Sequence, residues 1–246
     1  MEQILKNRLV LKPIKEHSNE KEYIKSSKIG GVPYWNSEED SSLITEDDYM
    51  LIAQLNLDEV DSDLLKGIHK NYPTTGILQF FIGNGENINR KDYMERCMVI
   101  HHENSNLPHQ LPTDYTEKCL NVLNENHDLP IMKNIIVSLE SAKPDIILIA
   151  ESSYEENEVE SINDKMIDEQ LIMSKIGGIP FMCQSGIDVV NFDHDSIPLL
   201  YLADCYNEDY NLDIMWGDGG EGLFTIDKDS LAQKDFNNVE LYWECG

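Results

Sequence analysis

The residues best suited to chemistry fall into a few groups. The densest polar stretch is 204–221, which opens on Asp204 and centres on Met215-Trp216-Gly217-Asp218-Gly219-Gly220. Its glycines allow backbone amides to approach a ligand closely. Asp218 could then orient a cation or a polar group. The same residues equally make a tight Asp-Gly turn between two strands with Trp216 packed beneath, and this structural reading is the stronger. No Lys-Ser/Thr follows the glycines, so the stretch is not a phosphate-cradling Walker loop.

His101-His102-Glu103 raises the question of a metal. On a strand, His101 and Glu103 would share one face and His102 would point to the other. Zinc needs further ligands, and nothing fixes His109 or Asp193-His194-Asp195 at a closing distance. Asp193-His194-Asp195 and Glu38-Glu39-Asp40 both lack the glycine and terminal glutamate of a calcium loop. No metal and no cofactor are expected. Nucleophilic catalysis finds no Gly-x-Ser-x-Gly elbow. Cys183 reads as a buried structural thiol, with Lys175 the basic residue near it in sequence. No catalytic residue is assigned.

The elements that must position these residues occur twice. Ser27-Lys28-Ile29-Gly30-Gly31-Val32-Pro33-Tyr34 returns as Ser174-Lys175-Ile176-Gly177-Gly178-Ile179-Pro180-Phe181, 147 positions later. Leu51-Ile52-Ala53-Gln54-Leu55-Asn56 is matched to Leu199-Leu200-Tyr201-Leu202-Ala203-Asp204 at an offset of 148, and the block from Gly76 to that from Gly220 at 144. Repeats at about 25–83 and 172–228, inside a single domain spanning 1–246, predict two pseudo-symmetric halves packed on each other. Lys28 and Lys175 hold the same place in both copies. Each is expected to pair with a carboxylate, at the surface or in a turn.

Short apolar runs at 51–57, 77–82, 98–101, 135–139, 199–203, 223–226 and 239–243 read as strands. Residues 58–70 and 154–172 read as helices, 116–123 as a helical turn, and 1–24 as an amphipathic helix or an extended lead-in. Residues 84–128 read as a loop-rich insertion. The fold class is mainly β with peripheral helices, an α+β internally duplicated β roll.

Composition narrows the function. The 246 residues carry 46 acidic and 19 basic side chains, a net charge of −27. Such a surface repels nucleic acid and anionic membranes and favours a basic protein partner. The N-terminus lacks a signal-like apolar run, and 146–150 is too short to span a bilayer. Five scattered cysteines without a CxxC read as reduced thiols. A cytoplasmic protein is expected.

The repeated blocks, together with Gln184 and Met215-Trp216-Gly217-Asp218-Gly219-Gly220, resemble the YwqG-like family, a bacterial domain of unknown function. The resemblance covers about residues 25 to 230. It implies a duplicated mainly β roll and an immunity or toxin-neutralising role. The chain departs from the family pattern at Leu202, where a second glutamine would match Gln54, and at Phe224-Thr225. The leading expectation is a non-enzymatic acidic binding module. Its contact surface would be the acidic loops of 38–63 and 204–221, and its partner a basic protein such as a toxin. The alternative is a small-ligand protein or enzyme using a groove between the halves. The residues assigned to ligand or partner binding are Gln54, Gln184, Asp204, Trp216, Asp218, Lys28 and Lys175.

Overall fold

The computed structural model describes residues 2–14, 20–45, 49–83, 96–125, 130–131, 135–149, 174–184, 196–210 and 212–246. The first half contributes β1 (Glu2–Lys6), β2 (Arg8–Pro13), α1 (Glu20–Lys25), β3 (Lys28–Ile29), α2 (Ser42–Thr45), β4 (Tyr49–Asn56), α3 (Ser62–Ile68), β5 (Ile77–Gly83), β6 (Cys97–His102) and α4 (Thr113–Glu125). There follow β7 (Ile135–Ser141), β8 (Asp145–Ile149), β9 (Lys175–Gly177), β10 (Ser196–Ala203), β11 (Cys205–Asn207), β12 (Leu212–Ile214), β13 (Gly220–Asp227), α5 (Lys228–Gln233) and β14 (Val239–Cys245).

Ten strands form one antiparallel sheet in the order β14-β13-β10-β9-β2-β7-β3-β4-β5-β6. Its two ends come together, with Cys97 Sγ 3.6 Å from the Val239 carbonyl and the His101 and Phe236 rings 5.7 Å apart. The sheet is therefore nearly closed. Burial explains the composition of its strands. β4, β5, β10 and β13 are covered on both faces, so they read as apolar runs rather than alternating ones. Phe80 and Phe224 meet edge to face inside, with centroids 5.1 Å apart.

The strand order reads alike from either end. β2 and β7 pair at the centre, β2 against β9 and β7 against β3. Leu11 N donates to the Ser174 carbonyl at 3.0 Å, and Val137 N donates to the Ser27 carbonyl at 2.9 Å. A bulge falls between Leu51 and Ala53 in β4, and another between Pro198 and Leu200 in β10. Both glycine pairs take the left-handed conformation, with φ of 65° and 78° at Gly30 and Gly31 and 63° and 71° at Gly177 and Gly178.

The mainly β expectation holds, with corrections. Of the two readings of 1–24, the extended one holds for residues 2–6 and 8–13, which are strands that place Leu9, Val10 and Leu11 at the centre of the sheet. The helical turn near 116 extends over thirteen residues. The supposed loop-rich insertion contains β6 and the whole of α4. The helix expected at 154–172 lies outside the described residues. Among the described residues no helix is long and apolar enough to cross a membrane.

Candidate functional site

In the first half the glycine turn after β3 is gripped by a relay of buried amides. Gln54, on β4 opposite Lys28, is fully buried. Its Nε2 donates to the Ile24 and Ser26 carbonyls, both at 2.9 Å. Its Oε1 accepts from Tyr34 N and from Gln79 Nε2, both at 2.8 Å. Gln79, its strand partner on β5, also donates to the Tyr34 carbonyl at 2.7 Å. Gln79 Oε1 lies 2.9 Å from Nε2 of His102. His102 is wholly buried, and its Nδ1 is 2.7 Å from Oε2 of the partly exposed Glu39. Tyr34 and Trp35 pack edge-on against the imidazole, at 5.3 and 5.1 Å. Burial drives the His102 pKa down to about 4 and raises that of Glu39.

The second half keeps the frame and changes the groups. Tyr201 is the strand partner of Lys175, as Gln54 is of Lys28. Its hydroxyl donates to the Phe181 carbonyl at 2.6 Å. The Ser27 and Ser174 hydroxyls accept from Asn56 N and Ala203 N in the same way. Beyond them, Glu221 accepts from Cys183 N at 3.2 Å and Glu244 from Gln184 N at 2.7 Å. Partial desolvation, then repulsion from Glu221 and Glu244, lifts the Cys183 thiol pKa to about 11. Cys183 is exposed, which corrects the expectation of a buried thiol.

Lys28 and Lys175 are both fully buried, not surface or turn lysines. Lys28 Nζ donates to the Tyr23 and Ile24 carbonyls at 3.0 and 3.1 Å and lies 4.5 Å from the Tyr23 ring centroid. Lys175 Nζ donates to Asp145 Oδ2 at 2.6 Å and to the Ile179 carbonyl at 2.7 Å. Arg8 meets Asp145 Oδ1 at 2.7 Å. Desolvation depresses the lysines to about 7 and about 8 respectively.

The stretch 204–221 forms a separate two-stranded ribbon, β11 against β12. Asp204 Oδ1 accepts from Trp216 N at 2.6 Å, Trp216 is buried, and Asp218 is exposed on the turn into β13. This is the tight turn over a packed tryptophan, as its composition favoured. Among the described residues no three His, Cys, Asp or Glu side chains gather as a metal-binding group.

The structure thus sorts the seven assigned residues into four places. Lys28 and Gln54 are adjacent in one half. Lys175 lies in the other, beside Tyr201. Asp204, Trp216 and Asp218 belong to the ribbon and its turn, while Gln184 Nε2 reaches the Cys245 carbonyl at the end of β14. Gln54 is fully buried and spends all four of its hydrogen bonds on the protein itself. β4 and β10 are five antiparallel steps apart in the sheet, so they run in opposite senses. Asp58, Glu59, Asp61 and Asp63 follow β4 and residues 204–210 follow β10, so these acidic stretches leave the sheet at opposite ends.

Sequence reasoning missed Gln79, His102 as a relay member, Asp145 and Tyr201. A lone glutamine within the apolar run of β5 was the available signal for Gln79. Its fit to a buried polar role mirrors that of Gln54 in β4.

The domain of unknown function DUF1963 matches residues 27–245, and the chain belongs to that family. A comparison with curated proteins finds no match.

Proposed function

We propose that the protein is a non-enzymatic binding module for a basic protein, of the kind a toxin-neutralising protein would hold. We also propose that it is a YwqG-like member of its family, on the motifs described above. The observation supporting a binding role is the make-up of the β11–β12 ribbon. Its inner face buries Leu212 and Ile214. Its outer face carries Tyr206, 66% exposed and paired across the ribbon with Asp213, and Met215 follows at 42% exposure. Glu208, Asp209 and Asp218 are exposed nearby in sequence, and 204–221 contains no lysine or arginine.

An exposed tyrosine and an adaptable methionine within a charged rim fit the division of interfaces into anchors and surround. A net charge of −27 would steer a cationic partner towards such a rim. The buried amides and lysines, by contrast, spend their hydrogen bonds within the protein.

The test is retention of partners from native lysate by wild-type protein and by the Tyr206→Ala, Met215→Ala double variant. Washes at low and moderate salt precede mass spectrometry. A basic protein held by the wild type, shed as salt rises and lost at least tenfold by the variant supports the reading. Absence of any specific protein, or salt-insensitive capture, refutes the acidic mechanism. Equal capture by the variant removes the ribbon from it.

A further inference from the structure

The hydrogen bonds of the first-half relay leave no freedom in their direction. Gln54 must point Nε2 at the two carbonyls of Ile24 and Ser26, since an oxygen there would face two oxygens. Its Oε1 therefore receives Tyr34 N–H and Gln79 Nε2. Gln79 Nε2 is held there by the Tyr34 carbonyl as well, so its Oε1 is the atom that faces His102. An acceptor at 2.9 Å requires that His102 carry its proton on Nε2. In a neutral ring Nδ1 is then a lone pair with no hydrogen of its own to give, and it is a buried atom that no aligned hydrogen bond satisfies.

That lone pair lies 2.7 Å from Oε2 of Glu39. Two acceptors at this separation repel unless a proton lies between them. Asn36 Nδ2 donates to the other oxygen, Oε1, at 3.3 Å, which leaves Oε2 as the proton-bearing atom. We infer that His102 and Glu39 form one proton-binding site, whose proton latches the Glu39 side chain to the wall of the sheet.

The proton is held either as carboxyl to imidazole or as imidazolium to carboxylate. Burial of His102 favours the first, with both groups neutral. When the pair releases its proton to solvent, a carboxylate faces a lone pair and the contact becomes repulsive. The latch is therefore closed at low pH and opened as pH rises. Residues 35–37 are tied independently, through Ser37 N to the Pro108 carbonyl and Gln110 N to the Trp35 carbonyl. The backbone of 38–39 is held to Asn36, by Glu38 N to Asn36 Oδ1 and Glu39 N to the Asn36 carbonyl, both at 3.0 Å, so what the proton controls is the Glu39 side chain, flanked by the exposed acids Glu38 and Asp40.

Other titratable groups surround the pair. His101 precedes His102 on β6, and Tyr34 packs on its ring. His109 accepts from Trp35 N, and Lys25 lies over the Tyr34 ring. Asp58 binds the Ser105 hydroxyl, and Glu103 pairs with Lys234 outside. None of these lies between Glu39 and His102. Trp35 offers a reporter, since its indole N–H donates to the Glu39 carbonyl at 3.2 Å.

The experiment is a pH titration of the full ¹⁵N-labelled chain by NMR, following the His102 ring nitrogens and the Trp35 indole resonance. The expected result is a proton on Nε2 throughout, with Nδ1 and the Trp35 indole moving at one shared midpoint. In Glu39→Gln the amide donates permanently to Nδ1, so the Trp35 step is lost and its low-pH position kept. A neutral His102 protonated on Nδ1 overturns the inference. So does a Trp35 step that persists unchanged in Glu39→Gln.

Discussion

Tyr201 stands in one half of the barrel where Gln54 stands in the other. Each is the strand partner of the buried lysine that precedes a glycine pair, and each binds the backbone of the residue closing that turn: Gln54 takes Tyr34 N–H, and Tyr201 gives to the Phe181 carbonyl. The same task is thus done by an amide acceptor in one half and a phenol donor in the other. The amide reaches further, binding Ile24, Ser26 and Gln79 too.

This difference predicts unequal costs. Tyr201→Phe removes one hydrogen bond and leaves one carbonyl, so a loss of about 1–2 kcal/mol is expected. Gln54→Leu strands Tyr34 N–H, two carbonyls and one Gln79 hydrogen at once. Buried groups left unpaired cost about 1–3 kcal/mol each, so the second variant should lose at least twice as much. Urea unfolding of both variants checks the order; equal losses would refute it.

The buried lysines predict a pH dependence with a definite sign. Lys28 and Lys175 titrate at about 7 and about 8 in the fold, far below a free lysine. Between those values and the free value the unfolded chain binds more protons than the native one. Stability should therefore rise with pH in that interval, by at most about 1.4 kcal/mol per pH unit for each group. Cys97 is raised by burial to about 11, which gives the opposite slope at higher pH, so the useful window is pH 7 to 9. Lys28→Met should reduce the slope of unfolding free energy between pH 7 and 9 and leave the Lys175 part of it. An unchanged slope in that variant would contradict the assignment.

Much of this architecture was legible, and its failures have physical reasons. The apolar runs reveal β4, β5, β6, β7, β10, β13 and β14, and the glycine pairs mark the turns that close β3 and β9 without revealing those two short strands. Matching leucine to leucine placed Leu202 against Gln54, one residue out of register. In a strand such a slip exchanges the two faces. In the register of the sheet, Ala53 and Leu200 follow the matching bulges, and Tyr201 falls opposite Lys175. The site was harder to read. His102 is joined to Gln79 across two strands and to Glu39 across a loop, and no spacing in the sequence records either contact. The lysines stood out by position, but nothing local revealed that Asp145, thirty residues away, would meet one of them.

Asp145 carries a prediction of its own. It is fully buried between Arg8 and Lys175 and also accepts from Ile179 N at 2.9 Å. Asp145→Ala would leave two buried cations without their carboxylate. Breaking a buried pair costs about 3–5 kcal/mol, and here two contacts go together. The variant should fall in urea midpoint more than Tyr201→Phe does, and a loss under about 1 kcal/mol would be inconsistent with a buried ion triad.

Glycine substitutions separate backbone packing from local propensity. A Cβ on Gly76 would lie 2.2 Å from the His102 carbonyl oxygen, and one on Gly220 would lie 1.9 Å from that of Glu244. In both cases the obstacle is the backbone of the neighbouring strand, which cannot turn aside as a side chain can. Gly220→Ala must push β14 off β13, and Gly76→Ala meets a positive φ as well. Gly67, within α3, meets only the Asn7 side chain at 3.6 Å. There alanine restores helix propensity and should stabilise by about 0.5–1 kcal/mol. Thermal unfolding of the three variants should show Gly67→Ala at or above wild type and the other two far below it. A native-like melting temperature for Gly220→Ala would mean that β13 and β14 do not pair as described.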